Sequence, residues 1–470
     1  MNVLFTHGYF LSEDPKEQVI MKPYPPLGLL YLSAWLDRHG IANEVFDTTF
    51  SSKPALYEHL HSNPPKILAL YTNLMTKLNV IGIIRSLRSQ PVFRNTLIVL
   101  GGPDVTHNAQ AYLDTGADLI VIGEGEQTML EIALSGENWQ HGANPEDVFG
   151  HICGVAFKQA DGTLGQTAPR EKIRDLDLLP FPNRRKIDLQ QYLDAWKHAH
   201  GQSAVSISTQ RGCPYTCKWC STAVYGQSYR RRSPEHVVDE IEALQEQYDF
   251  DLIWFVDDVF TVSHKWLAAF YAELEKRAVR ISFECITRAD RLNDEVIDLL
   301  KACGCFRVWI GAESGSQRII DAMDRRVEVG QVRAMIRSAR RAGIQAGTFI
   351  MLGYPGETER DIVETVDHLK AADPDLFTIT LAYPIKGTGL YETVEESITA
   401  PAAWDAHTDR DLDFARTYTR QYYNYALRWT VNAVHLHKAR LAGKQLTARG
   451  LLLAFKTWIA RTGMWWQRLL

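Results

Sequence analysis

Three cysteines packed into eight residues constrain this chain more than any other feature. They lie in Thr209-Gln-Arg-Gly-Cys213-Pro-Tyr-Thr-Cys217-Lys-Trp-Cys220-Ser-Thr222. Three thiolates cannot complete a four-ligand cage, so an iron–sulfur cube held here keeps one iron open to an atom of a substrate or cofactor. Gly212 and Pro214 break regular structure where the chain would wrap such a cluster, since glycine tolerates unusual dihedrals and proline fixes its own. Ala204 to Gln210 alternates apolar and polar residues like a strand, and Pro234 to Leu244 reads as a helix. The cysteines therefore occupy a strand-to-helix loop.

Zinc is the plainer alternative, with His198, His200 and His236 nearby, although structural zinc sites take four Cys/His ligands, usually as two spaced pairs. Disulfides fit less well. Seven cysteines are an odd number, and Met1-Asn-Val-Leu-Phe-Thr-His lacks the basic region and apolar core of a secretory leader. The other cysteines are Cys153, Cys285, Cys303 and Cys305. The last two flank Gly304 in a helix-to-strand turn and read as buried thiols.

The Cys-x3-Cys-x2-Cys spacing, with Trp219 just before the third cysteine, resembles the radical S-adenosylmethionine superfamily. That resemblance implies a [4Fe-4S] cluster on Cys213, Cys217 and Cys220. It also implies S-adenosyl-L-methionine on the fourth iron, through its amino and carboxylate groups, and reductive cleavage to a 5'-deoxyadenosyl radical. The protein's part is placement, dryness and electrostatics. A second cysteine triad, as in methylthiotransferases, and C-terminal auxiliary-cluster cysteines are both missing from the sequence.

Residues 1–140 alternate strands and helices, with strands expected at 2–6, 42–47, 66–71, 96–100 and 117–122 and helices around 78–89, 107–114 and 126–134. Such units predict a parallel sheet covered on both faces, with ligands bound beyond the strands' carboxyl ends. Gly101-Gly102-Pro103 and Gly123-Glu124-Gly125-Glu126 stand at two such ends. Plain tight turns explain these glycines equally well on composition alone. With Pro25-Pro26-Leu27-Gly28-Leu29, however, they resemble the N-terminal cobalamin-binding-type, flavodoxin-like domain of the subgroup that includes anaerobic magnesium-protoporphyrin ester cyclase and many C-methyltransferases. The implied cobalamin contacts are Gly101, Gly102, Gly123 and Glu124. The Asp-x-His-x-x-Gly loop that ligates cobalt in other cobalamin domains is absent, and His7 lacks its context, so cobalamin occupancy stays open.

Residues 141–203 read as a connector, with a hairpin about Asp161-Gly162 and an extended Leu179-Pro-Phe-Pro182 stretch. Residues 204–394 then predict six strands, at 204–210, 252–257, 281–287, 306–312, 346–352 and 376–382, with helices between them. This is a partial (β/α)6 barrel whose chemistry gathers at the strand ends. At those ends we expect Asp258 facing the cavity, Arg288 on a carboxylate, Glu313 and Ser314 on ribose or methionine polar groups, and the Gly353, Pro355, Gly356 loop against adenine, with Trp219 also packing on adenine. The plainer readings are a surface ion pair for Arg288 and a helix cap for Ser314. Tyr225 and the basic run Tyr229 to Arg232 read first as a solvated face, and secondly as a stabiliser of anions near the cluster.

The 470 residues suffice for two or more domains, and 46% hydrophobic and 23% charged residues with a net charge of -5 describe an ordinary globular protein. No run of eighteen apolar residues is present, and a cytoplasmic location is expected. The tail, 395–470, has no acidic residue after Asp413 but ten lysines and arginines interleaved with aromatics. It reads as a helical cap over the barrel mouth, a membrane-surface helix over 451–470, or packing helices, with nucleic-acid binding ranked lower. The expected activity is cobalamin-assisted C-methylation of a lipid, tetrapyrrole or natural product, fed by a donor such as flavodoxin or ferredoxin. The runner-up is radical oxidation, cyclisation or rearrangement without methyl transfer. A non-catalytic cluster-containing binding protein is the alternative of another class.

Overall fold

The computed structural model describes residues 3–140, 142–221, 227–399 and 403–469, apart from the Asn138 side chain. Two compact units form: one from residues 1–214, 222–252 and 401–410, the other from 215–221, 253–400 and 411–470.

The first unit is built on strands β1 (Val3–His7), β2 (Asn43–Phe46), β3 (Ile67–Tyr71), β4 (Leu97–Gly101), β5 (Leu119–Val121), β6 (Val155–Lys158) and β7 (Leu164–Gln166), in the order β2-β1-β3-β4-β5-β6-β7. The five strands β1 to β5 pair in parallel, and β6 and β7 add an antiparallel hairpin edge around Asp161-Gly162. Alternate side chains explain the near-continuous apolar runs. Val3, Phe5, Ile67, Ala69, Leu97 and Val99 enter one core, and Leu4, Leu68, Leu70, Ile98 and Leu100 enter the other. Helices α1 (Pro15–Ile20), α2 (Leu27–Arg38), α3 (Lys53–Ser62), α4 (Lys77–Arg88), α5 (Val105–Thr115), α6 (Glu126–Ser135), α7 (Pro145–Phe149) and α8 (Leu189–His200) complete this part.

The expected strand 204–210 divides in two. β8 (Ala204–Ile207) joins the second sheet, whereas β9 (Gln210–Arg211) turns away to pair antiparallel with β10 (Arg230–Arg231). Next come α9 (Pro234–Gln247), with Ser233 as its cap, and β11 (Leu252–Phe255), whose first residue donates from Leu252 N–H to the Ser203 carbonyl.

In the second unit, strands β12 (Phe283–Thr287), β13 (Cys305–Glu313), β14 (Gln345–Leu352) and β15 (Leu376–Leu381) continue a parallel sheet of order β15-β14-β13-β12-β11-β8. The intervening helices are α10 (His264–Lys276), α11 (Asp294–Ala302), α12 (Gln317–Ala322), α13 (Val329–Arg341) and α14 (Glu359–Ala372). After α15 (Gly389–Val394), the tail forms α16 (Arg420–Leu441) and α17 (Ala448–Leu469). α16 packs on α14, and Tyr423 Oη donates to the Glu357 carbonyl. Among the described residues, no helix is long and apolar enough to cross a membrane.

Candidate functional sites

At the carboxyl ends of β3, β4 and β5, an open cleft is lined by Gly28, Tyr71, Gly101, Gly102, Gly123, Glu124, Glu126, Met129 and Arg211, among others. Gly102 has φ +112°, and a Cβ there would stand 2.3 Å from the Thr72 carbonyl oxygen, so only glycine fits. Gly123 has φ +89° and open space where its Cβ would be, leaving backbone exposed to a ligand. Glu124 is buried and already committed: Arg230 lies 2.7 Å from its carboxylate, Arg211 3.4 Å, and Ile173 N–H donates to it at 2.7 Å. His7, at the end of β1, has both ring nitrogens engaged. Nε2 pairs with Asp47 at 3.0 Å, while Nδ1 accepts from Tyr9 N–H and contacts the Thr48 hydroxyl.

The base of the cysteine loop lies in this same unit. β9 and β10 pair Arg211 with Arg230, and a bridge joins Cys213 to Gln227. Gly212, at φ +80°, brings its backbone against Ser228, whose carbonyl oxygen would be 2.2 Å from a Cβ. The basic run is not a solvated face. Arg230 reaches Glu124, and the buried Arg232 shares Glu240 with Arg184, because each carboxylate here is buried and requires a cation. Tyr225 lies outside the described residues. His200 and His236, weighed for zinc, are occupied by backbone carbonyls and by Asp177 with Arg232.

In the second unit the middle of the cysteine loop is pinned from two sides. Lys218 N–H donates to the Met323 carbonyl and Lys218 O accepts from Leu390 N–H, while the Thr216 hydroxyl donates to Asp324 at 2.7 Å. Trp219 packs against a buried apolar cluster that includes Ile319, Met323, Tyr354 and Leu390. Two guanidiniums stand beside Cys217 Sγ, Arg288 at 3.6 Å and Arg325 at 3.7 Å. Arg288 is no surface ion pair. It is 1% exposed, bound to Asp290 and to the Arg325 carbonyl, and stacked over Tyr215 at 3.8 Å.

Glu313 ends β13 at a register shift with φ +62°, a conformation costly for a side chain of its size. Arg325 lies 3.8 Å from its carboxylate, and burial nevertheless pushes the Glu313 carboxyl up against the pull of Arg325 and Arg288. Ser314 is held inward: its hydroxyl contacts Thr365 and accepts from Ser316 N–H. Gly353 donates its N–H to Glu357 at 2.6 Å, Pro355 is half-buried and Gly356 is exposed. Asp258, just beyond β11, is exposed as a residue, while desolvation of its carboxyl, followed by the charge of Asp257, pushes that carboxyl up. The Asp324-Arg325-Arg326 run was not singled out from sequence, since three charges after an amphipathic helix look like any solvated turn.

The residues fit the groups implied for them. Three thiols within eight residues, with guanidiniums beside Cys217 as donors toward sulfur, suit an anionic iron–sulfur cluster. A glycine-lined cleft at parallel strand ends suits a cofactor that approaches backbone closely. Among the described residues, no three His, Cys, Asp or Glu side chains group around a single metal ion.

Residues 207–369 match the radical SAM superfamily model, and residues 19–133 match the B12 binding domain model. The chain is 28% identical to an uncharacterized methyltransferase of Pyrococcus horikoshii, across 85% of each chain. It is 27% identical to the anaerobic magnesium-protoporphyrin IX monomethyl ester cyclase of Rubrivivax gelatinosus, over 85% of this chain and 71% of that protein. The fold is shared with the radical S-adenosylmethionine methyltransferase TsrM from Kitasatospora setae, solved with cobalamin and a [4Fe-4S] cluster bound. There the TM-score is 0.68 at 19% identity, over 86% of this chain and 77% of that one.

Proposed function

Because this chain is a radical S-adenosylmethionine superfamily enzyme with a B12-binding domain ahead of its radical domain, we propose that it methylates an unactivated carbon of a small-molecule or lipid substrate. The observation that carries this reading is the pairing, in one chain, of the three-thiol loop with the glycine-lined cleft. Bound together, the cluster, S-adenosylmethionine and cobalamin supply one-electron cleavage of a sulfonium and a transferable methyl group.

The chain's own residues do the rest. Cys213, Cys217 and Cys220 would hold the cluster. Arg288 and Arg325 place positive charge beside Cys217 and offset the negative charge gathered there. Glu313, held in a strained conformation, offers a buried carboxyl to an amino or hydroxyl group. Asp258, just beyond β11, offers an acceptor whose carboxyl is pushed up by burial and by Asp257. Gly101, Gly102 and Gly123 would admit cobalamin to the cleft, with Glu124 fixing the cleft wall through Arg211 and Arg230.

An external one-electron donor of the flavodoxin or ferredoxin kind completes the system. Free thiols and an oxygen-labile cluster suit the reducing cytoplasm, and the cationic tail suits contact with a membrane surface. Identity to a cyclase supports radical oxidation or cyclisation as a second reading. Turnover of candidate substrates with S-adenosylmethionine carrying an isotope-labelled methyl group separates the two. Label in the product supports methylation, whereas an oxidised or rearranged product without label replaces it with the second reading.

A further inference from the structure

α17 wears its apolar residues on the outside. Its inner side packs on α16 and carries small or slender groups: Ala460 and Met464 are buried, a Cβ on Gly463 would lie 2.5 Å from the Tyr425 ring, and the buried Gly450 backs onto the turn at Lys444 and Gln445. Leu451, Leu452, Phe455, Trp458, Ile459, Trp466 and Leu469 recur at three- and four-residue steps, so they share one face. That face points to solvent: Phe455 is 56% exposed, Trp458 63% and Trp466 58%, with Trp465 alongside at 58%. The stripe runs from Leu451 to Leu469, about 27 Å along the helix. A surface helix of a globular protein normally buries such a stripe, and an exposed one this size marks an interaction site.

Charge identifies the occupant. Arg449 and Lys456 are exposed beside the stripe, and Arg461 and Arg468 edge its other flank, where both pair with Glu359. The segment from 414 to 470 contains ten lysines and arginines and no aspartate or glutamate. A second copy meeting this patch about a two-fold axis would set cations against cations, with no acidic side chain of the segment to pair them. An anionic bilayer, by contrast, takes the indoles and leucines into its acyl boundary and pairs the flanking cations with lipid phosphates.

We infer that the outer face of α17 docks the enzyme on an anionic membrane surface, with the helix lying in the interface plane. This deepens the membrane contact proposed above and rests on no part of the radical chemistry.

The test is co-sedimentation of the full-length protein with phosphatidylcholine vesicles, with and without phosphatidylglycerol, read together with tryptophan emission. Binding to the anionic vesicles with a blue shift is expected, weakening at least about tenfold in Phe455→Glu/Trp458→Glu and falling as salt rises. Both substituted side chains are exposed, so an unchanged unfolding midpoint certifies the fold of the variant. No binding to either vesicle overturns the inference. So does self-association of the wild type, in light scattering without lipid, that the same double variant abolishes.

Discussion

The Arg211 guanidinium meets the Glu126 carboxylate at 2.5 Å, with both side chains buried. Glu126 opens the helix beyond the cleft, and Arg211 stands two residues before Cys213. Glu124 of the same Gly-Glu-Gly-Glu motif pairs with Arg230 on the opposite strand. Both strands at the base of the cysteine loop are thus tied to one loop of the cleft wall.

Breaking that tie leaves a buried carboxylate without its cation. Arg211→Met is expected to lower stability by about 3–5 kcal/mol, and to lower iron content after reconstitution more than Lys456→Met on the surface. Denaturant unfolding and iron analysis check this. A variant matching wild type in both would show that the pairs do not hold the loop.

Arg325 and Glu313 form a coupled pair beside Cys217. Arg325→Met alone strands the Glu313 carboxyl and should cost about 3–5 kcal/mol. Adding Glu313→Gln removes the stranded charge, so the double variant should recover part of the loss, giving a coupling of about 1–3 kcal/mol in a double-mutant cycle. Additive losses would mean that the two side chains act independently.

The two cleft glycines should respond differently to alanine. At Gly123 nothing crowds the new Cβ, so the cost is backbone strain of about 1–2 kcal/mol. At Gly102 the same strain is joined by a clash with the Thr72 carbonyl, and the loss should be larger. Unfolding midpoints order the two variants, and equal losses would contradict the geometry.

Burial pushes the Glu357 carboxyl up to about 8, despite the Gly353 N–H donated to it. The unfolded chain releases this proton above about 4.5, while the folded protein keeps it until about 8. Stability therefore falls as pH rises between those values, by about 1.4 kcal/mol per unit at most, and is unaffected by this group beyond them. Glu357→Gln abolishes the titration, so its stability advantage over wild type should widen from pH 5 to pH 8. A constant difference in thermal unfolding would show that Glu357 is ionised in the folded protein.

What the sequence disclosed was local. The cysteine spacing sits within eight residues, and the strands β1, β3, β4 and β5 are near-continuous apolar runs because both of their faces are buried, so their pattern alone located them. The break of the strand after Ile207 was hidden, since Ser208 and Thr209 continue the alternation while the backbone turns to form the β9–β10 ladder. Glu124 was legible as part of a strand-end motif, but its partners lie 87 and 106 residues away at Arg211 and Arg230, a distance no pattern bridges. Asp324 and Arg326 adopt positive φ without being glycine, so the tight turn that presents Arg325 to Cys217 left no mark in composition. The tail showed its cations and aromatics plainly, but only the packing of its inner side, with Ala460 and Met464 buried and Gly463 against Tyr425, decides which face α17 turns outward.

The most direct test is anaerobic reconstitution of wild type and Cys217→Ala with iron, sulfide and hydroxocobalamin, followed by desalting and analysis for iron and cobalt. Wild type is expected to hold about four irons and about one cobalt per chain, and Cys217→Ala to lose the iron while keeping the cobalt. A Cys217→Ala protein that retains about four irons, or a wild type that takes up none, would contradict the assignment of the cysteine loop.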